Sequence, residues 1–251
     1  MSRFYESRSF WAIAHRGASH DAPENTLAAF DLALTQKADG IELDVQLAGS
    51  GEPVVVHDQI LTRLAQRNVD VTKASLTELQ SLDIGSWFDP RFKAERIPTL
   101  QAVWERYRGQ IPLNIEIKCE AVRDRGLTCA VIDVLGKRPP LEQVMISSFN
   151  PIVLARLKRF APQLTRGLIV AHDLAVWHRH AWFRAMVEAD GIHCDLPLVE
   201  HFLGLCDRED RRLLLWTIDD IALMTHAIKR GVDGIMTNRP AILKTVIEGR
   251  V

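Results

Sequence analysis

Apolar positions along this chain fall into short, dense runs separated by stretches of longer period. Runs rich in Val, Ile and Leu occupy residues 10–14, 40–47, 113–118, 144–148, 167–170, 191–194, 213–217 and 234–237. Their length and their Gly or polar flanks predict strands. Between them apolar residues recur at helical spacing, and several stretches carry start signals. Asn25 stands where it would cap a helix with Leu27, Phe30 and Leu34 on one face. Asn150-Pro151 and Arg239-Pro240 put proline at a first helical position, where its missing N–H costs nothing. Eight strands alternating with helices predict an α/β fold: a single (β/α)8 TIM-type barrel, one domain over residues 1–251. A doubly wound open sheet is the alternative architecture for the same alternation.

One connection breaks the rhythm. Residues 58–98 form a link far longer than the usual 2–6 residues of a βα loop. Its first part, within SGEPVVVHDQ, reads as the return of a small hairpin. Within it, SLTELQSLDIGSWFDPRF starts as a capped helix and runs on to Trp87, Phe88 and Phe92. In a barrel such an insertion after the second strand would lie over the C-terminal face, as a lid.

Alternation within two strands supplies the first chemistry. In GIELDVQL, Ile41, Leu43 and Val45 share one face, and Glu42, Asp44 and Gln46 share the other. In PLNIEIK, Leu113, Ile115 and Ile117 face out while Asn114, Glu116 and Lys118 face in. Three inward carboxylates, Glu42, Asp44 and Glu116, would repel one another unless something positive sits among them. Arg16 and Lys118 could make a purely structural ion network. A divalent cation is the better answer. Hard carboxylate oxygens suit Mg²⁺ or Ca²⁺, and no His or Cys cluster points to zinc.

His15 ends the first strand and His57 ends the VVVHD run, so both fall at the same rim as the acids. Two imidazoles there would provide a general base and a general acid near neutral pH. Arg16 and Lys118 add fixed positive charge of the kind a phosphate needs. Trp216, ending the seventh barrel strand, reads either as interior packing or as an apolar wall against a substrate's carbon skeleton. His20, His172, His178, His180, His201 and His226 lie in polar loops or helices, and His193 reads as a structural residue within a strand. GSGEP reads as a hairpin turn, because no helix follows to aim its N–H groups at a phosphate.

Bulk properties narrow the setting. With 251 residues, 47% hydrophobic, 25% charged and a net charge of -1, the chain can bury a sizeable core. It lacks the charge of an electrostatic nucleic-acid or membrane-surface binder. Cys119, Cys129, Cys194 and Cys206 show no metal-ligand spacing and read as reduced thiols in or near the core. No run reaches the roughly 20 apolar residues of a spanning helix, and the first residues lack the apolar region of a signal peptide. The expectation is a cytoplasmic protein with a small-molecule substrate and no stable membrane insertion.

Taken in order, HRGASHDAPENTLAAF, GIELDVQL, PVVVHD, NIEIK, WTI and GVDGIMTNRP resemble the successive motifs of the glycerophosphodiester phosphodiesterase family. The resemblance spans residues 14–240. It implies a TIM-type barrel that binds one divalent cation and hydrolyses glycerophosphodiesters to sn-glycerol 3-phosphate and an alcohol. By motif, Glu42, Asp44 and Glu116 match the metal-binding acids, His15 the base, His57 the acid, and Arg16 and Lys118 the phosphate contacts. Two departures stand out. LTRLAQRNVDV lacks the glycines that often follow the family's His-Asp, and Asp219 stands where Asn often follows Trp-Thr-Ile. Alternatives are a lysophospholipase D-type or phosphoinositide-type phosphodiesterase on a similar barrel, and a non-catalytic phospholigand-binding protein. The last would have lost one histidine or acid, and none is missing.

Overall fold

The run-and-gap pattern becomes a closed ring. The computed structural model describes residues 3–119 and 124–250. Its strands are β1 (Trp11–His15), β2 (Gly40–Leu47), β3 (Pro53–Val55), β4 (Leu113–Ile117), β5 (Val144–Ser148), β6 (Thr165–Val170), β7 (Gly191–Cys194), β8 (Arg212–Leu215) and β9 (Gly234–Thr237). Parallel pairs run from β1 through β2, β4, β5, β6, β7 and β8 to β9, which returns to β1. This is an eight-stranded parallel barrel of TIM type. β3 lies outside the ring as the antiparallel hairpin partner of β2, with Val55 opposite Val45. Strand limits differ from the sequence reading by one or two residues, as at β1 and β8.

Alternation sorts the side chains as expected. Ile41, Leu43, Val45, Leu113 and Ile115 are fully buried and pack with Phe30, Val103 and Tyr107 from the outer helices. One cap is reassigned. Helix Leu27–Thr35 is capped by Thr26, whose Oγ1 accepts from Ala29 N at 3.2 Å, and not by Asn25. Asn25 sits in the left-handed region (φ 57°), which Asn tolerates, and turns its amide to Asp44 instead. A buried carboxylate has the greater need of donors. Among the cysteines, Cys194 and Cys206 are buried, but Cys129 is exposed on its helix.

Two regions depart from a plain barrel. Between β6 and β7 the described chain forms only helix Val176–Arg179 and a series of turns. The insertion has an apolar core of its own, including Leu61, Leu64, Val71, Leu79 and Ile84. Its ends meet at the hairpin, where Val55 N donates to Pro98 O at 2.9 Å and Val54 bridges Thr99. Trp87, Phe88 and Phe92 pack edge to face at 5.8 Å, so they turn towards one another and do not present an open apolar face.

The opposite end of the barrel is plugged, a feature the sequence reading did not anticipate. Helix Arg3–Glu6 inserts Phe4 and Tyr5 beneath Trp11, Ile13, Met145, Leu214 and Met236. Phe4 stacks on Trp11 with ring centroids 4.4 Å apart. Tyr5 Oη meets His193 Nε2 at 3.0 Å, and burial pushes this imidazole down to about 3. His193 is thus the structural residue expected, held neutral.

Candidate active site

Register places the acids. β1, β2 and β4 are neighbours, and their pairing sets His15 beside Glu42 and Asp44 beside Glu116. Inward residues at matching heights on adjacent strands must meet, and ligand oxygens of Glu42, Asp44 and Glu116 lie within 4.8 Å of one another. Burial, then Asp44 and Glu116, push Glu42 well above the usual carboxylate range. Burial and Asp44 raise Glu116 to about 7. Asp44 goes the other way. Burial opposes its charge, but Arg16, Lys118 and His57 hold it low.

The cations sit where alternation and loop geometry put them. Arg16 Nε is 3.2 Å from Asp44 Oδ2, and Lys118 Nζ is 3.0 Å from Glu116 Oε1 and 3.7 Å from Asp44 Oδ1. Arg16 has φ 57°, and its backbone N donates to Glu42 Oε2 at 2.9 Å. The next residue must be glycine, because a Cβ at Gly17 would stand 2.7 Å from the Ala29 backbone. Two cations do not saturate three carboxylates. Glu42 Oε1 is buried without a hydrogen-bond partner. An orphaned carboxylate oxygen in an all-oxygen cluster fits a hard divalent cation, with Glu42, Asp44 and Glu116 as the residues that would hold it.

The two histidines are oriented by different anchors. Asp219 can only accept, so Asn238 donates Nδ2–H to it at 2.6 Å and presents Oδ1 to His15 Nδ1 at 2.8 Å. His15 therefore carries its proton on Nδ1 and a lone pair on Nε2, which lies 3.9 Å from Glu42 Oε2. Burial and the Arg16 charge lower His15 to about 4, so it is neutral near pH 7. His57 instead donates Nδ1–H to Asp58 Oδ1 at 2.8 Å, leaving Nε2 to exchange a proton. Gln46 Nε2 fixes the His57 backbone by donating to its carbonyl at 2.8 Å.

A chain of ion pairs joins these groups. Arg63, from the insertion, donates to both oxygens of Glu24 at 2.8 Å and through Nε to Asp58 Oδ2 at 2.9 Å. Glu24 also accepts from Arg16 Nη1 at 2.9 Å. It ties the first loop down and stays clear of the carboxylate cluster. Arg63, Asp58, Asn238 and Asp219 escaped the sequence reading as site residues. The Arg after His-Asp, and the Asp219 departure itself, were the available signals.

Trp216 stands apart from the ionic groups. Its Nε1 donates to His193 O at 3.1 Å, and its ring meets Phe149 edge to face at 5.6 Å. Phe149 also takes Lys118 Nζ over its ring at 5.7 Å, a contact the sequence reading missed.

Fold and rim together define a TIM-barrel protein whose C-terminal face holds an acidic, cation-ready centre between two imidazoles. The chain belongs to the glycerophosphoryl diester phosphodiesterase family, whose profile matches residues 15–242. It is 38% identical over 238 residues to a glycerophosphodiester phosphodiesterase of Caldanaerobacter subterraneus subsp. tengcongensis, covering 94% of this chain and 96% of that one. A Bacillus subtilis glycerophosphodiester phosphodiesterase is 30% identical, over 94% of this chain and 86% of its own. Among solved structures, an Oleispira antarctica phosphodiesterase in complex with its product sn-glycerol-3-phosphate superposes with a TM-score of 0.87 at 31% identity, covering 97% of this chain and 99% of that one. No helix among the described residues is long and apolar enough to cross a membrane.

Proposed function

We propose that this chain hydrolyses glycerophosphodiesters to sn-glycerol 3-phosphate and an alcohol, using one divalent cation, Mg²⁺ or Ca²⁺. The observation that carries this reading is the buried, unpartnered Glu42 Oε1 within a carboxylate cluster flanked by two imidazoles, each anchored at Nδ1. Membership of the family and the product-bound relative support it. In this reading the whole chain works as one catalytic unit, with residues 58–98 as a wall over its rim. The setting is the cytoplasm.

When bound by Glu42, Asp44 and Glu116, the cation supplies Lewis-acid stabilisation of phosphate charge. The protein's own groups do the rest. Arg16 and Lys118 hold the phosphate and oppose the charge that grows on its oxygens. His15 takes the proton of the nucleophilic oxygen on its free Nε2. His57 gives a proton from Nε2 to the departing alkoxide as the phosphorus–oxygen bond to the alcohol breaks. Asp58 accepts from His57 Nδ1 in both protonation states, so the ring keeps its aim. Trp216, with Phe149, walls the substrate's carbon skeleton. Net, one water is consumed and one diester bond is exchanged for a monoester and an alcohol.

The test is a coupled glycerol 3-phosphate assay on glycerophosphocholine with Mg²⁺ or Ca²⁺. Turnover that stops with EDTA, and falls roughly 10²–10⁴-fold in His15→Ala and in His57→Ala, is the expected result. Full activity in EDTA or in either variant overturns the assignment.

A further inference from the structure

The catalytic rim does not end at the charged groups. A cleft of about 1180 Å³ starts at His57, Glu116 and Lys118 and follows the rim past β5 to the β6–β7 connection. That exceeds the roughly 300–1,000 Å³ of a pocket for a drug-sized ligand, whereas glycerol phosphate has only about ten non-hydrogen atoms. The cleft's far walls are Leu127, Phe149, Ile152, Leu174, Trp177 and Phe183. Among the described residues, Asp124 and Arg125 on that stretch are already engaged. Arg125 donates to Thr72 O at 2.8 Å, and Asp124 is paired with Arg156 at 2.8 Å. Burial lowers His178, the imidazole there, so it adds no charge near neutral pH.

The β6–β7 connection is also where apolar surface is left open. Of nine exposed large hydrophobics among the described residues, four are Val176, Trp177, Trp182 and Met186. Trp177, 54% exposed, stands on the cleft itself. An apolar wall continuous with a reacting centre needs an occupant, since burying its area against a substrate is favourable and leaving it wet is not.

The two histidines say which part of the substrate lies there. His57 lines the cleft, and His15 does not. In the proposed reaction His57 protonates the departing alcohol, so the cleft holds the leaving-group side. We propose that this cleft is an alcohol subsite for an apolar chain. The preferred diesters would then be glycerophosphodiesters whose departing alcohol carries an alkyl arm of several carbons. This rests on the phosphodiesterase reading above and extends it to substrate class.

The test is a series of glycerophosphodiesters with methanol, butanol, hexanol and octanol as leaving alcohols, assayed below micelle formation, beside monoacyl glycerophosphocholine. The expected result is a kcat/KM that climbs roughly two- to fourfold per methylene along the alkyl series. Trp177→Ala and, separately, Phe183→Gln should flatten that climb. Turnover of the methanol diester without any gain along the series overturns the subsite and leaves the phosphodiesterase reading standing. A gain confined to the monoacyl substrate overturns the assignment to the leaving-group side. No turnover of any diester overturns the underlying reading instead. The wild-type series decides the matter even if a variant fails to fold.

Discussion

The two ends of this barrel bury ionisable groups by opposite means. At the plugged end His193 is kept neutral, pressed against Tyr5 in an apolar interior. At the open rim three carboxylates are crowded together and only partly offset by Arg16 and Lys118. The charges buried at the plugged end, Asp39 and Arg166, are matched by Arg8 and Lys244 and by Asp190 and Glu188, whereas those of the rim are not matched in full. The difference teaches where function is built. A buried group relieved of its charge by protonation state is scaffold, whereas buried carboxylates crowded together with too few cations create an attraction for a cationic ligand.

That contrast can be broken most forcefully at the rim. Glu42→Gln removes the orphaned oxygen's charge, and activity should fall roughly 10⁴-fold, in line with the several kcal/mol a cation contributes. Cation-induced thermal stabilisation should vanish with it, as calorimetry with added Mg²⁺ or Ca²⁺ would read. A variant that keeps its turnover would place the catalytic centre elsewhere.

The second test uses pH, because Glu116 at the rim and His193 at the plugged end are shifted in opposite directions. Glu116 is raised to about 7 without a cation, so the folded protein holds this proton more tightly than the unfolded chain. The stability it contributes is present below about pH 4.5 and is lost as pH rises through about 7. His193, lowered to about 3, reverses this: its contribution is present above about 6.5 and is lost as pH falls towards 3. Each slope is at most about 1.4 kcal/mol per pH unit. In EDTA, Glu116→Gln should lessen the alkaline loss, to which Glu42 also contributes, and His193→Gln the acid loss, to which His15 also contributes, measured as denaturant midpoints. Equal slopes in all three proteins would refute the contrast.

The smallest effect sharpens the comparison. Arg63→Ala cuts the tie between Glu24 and Asp58 without touching a carboxylate of the cluster. We expect kcat to fall roughly tenfold with KM little changed, because a misaimed proton donor slows the chemical step. Arg63→Lys should recover only part of this, since an ammonium cannot reproduce the two-pronged contact to Glu24. A loss confined to KM would assign Arg63 to binding instead.

Much of the rim was legible because strand alternation is a local rule. Glu42, Asp44, Glu116 and Lys118 share inward faces for the same reason that Ile41 and Ile115 share outward ones. His15 and His57 followed from their places at strand ends. What stayed hidden depends on contacts between distant segments, which no period announces. Asn238 reaches His15 across 223 positions, and Arg63 reaches Glu24 across 39. The plug was invisible for a related reason: Phe4 and Tyr5 sit in too short a run to show periodicity. Asn25 illustrates the last kind of miss. Its type suits a helix cap, but a buried Asp44 outcompeted the helix for its amide.

The meeting of the insertion's two ends has a consequence for how this protein can change. Because Val54 and Val55 are stitched to Thr99 and Pro98, the segment is a cassette clipped onto a finished ring. Loop-closure entropy grows only logarithmically, by about 0.6 kcal/mol per doubling of length, so the cassette can be lengthened or exchanged with little strain on the barrel. What such an exchange must preserve is the His57–Asp58 pair at its start and a guanidinium at the place of Arg63. Descendants of this fold can thus alter the roof of the site freely while the floor stays fixed.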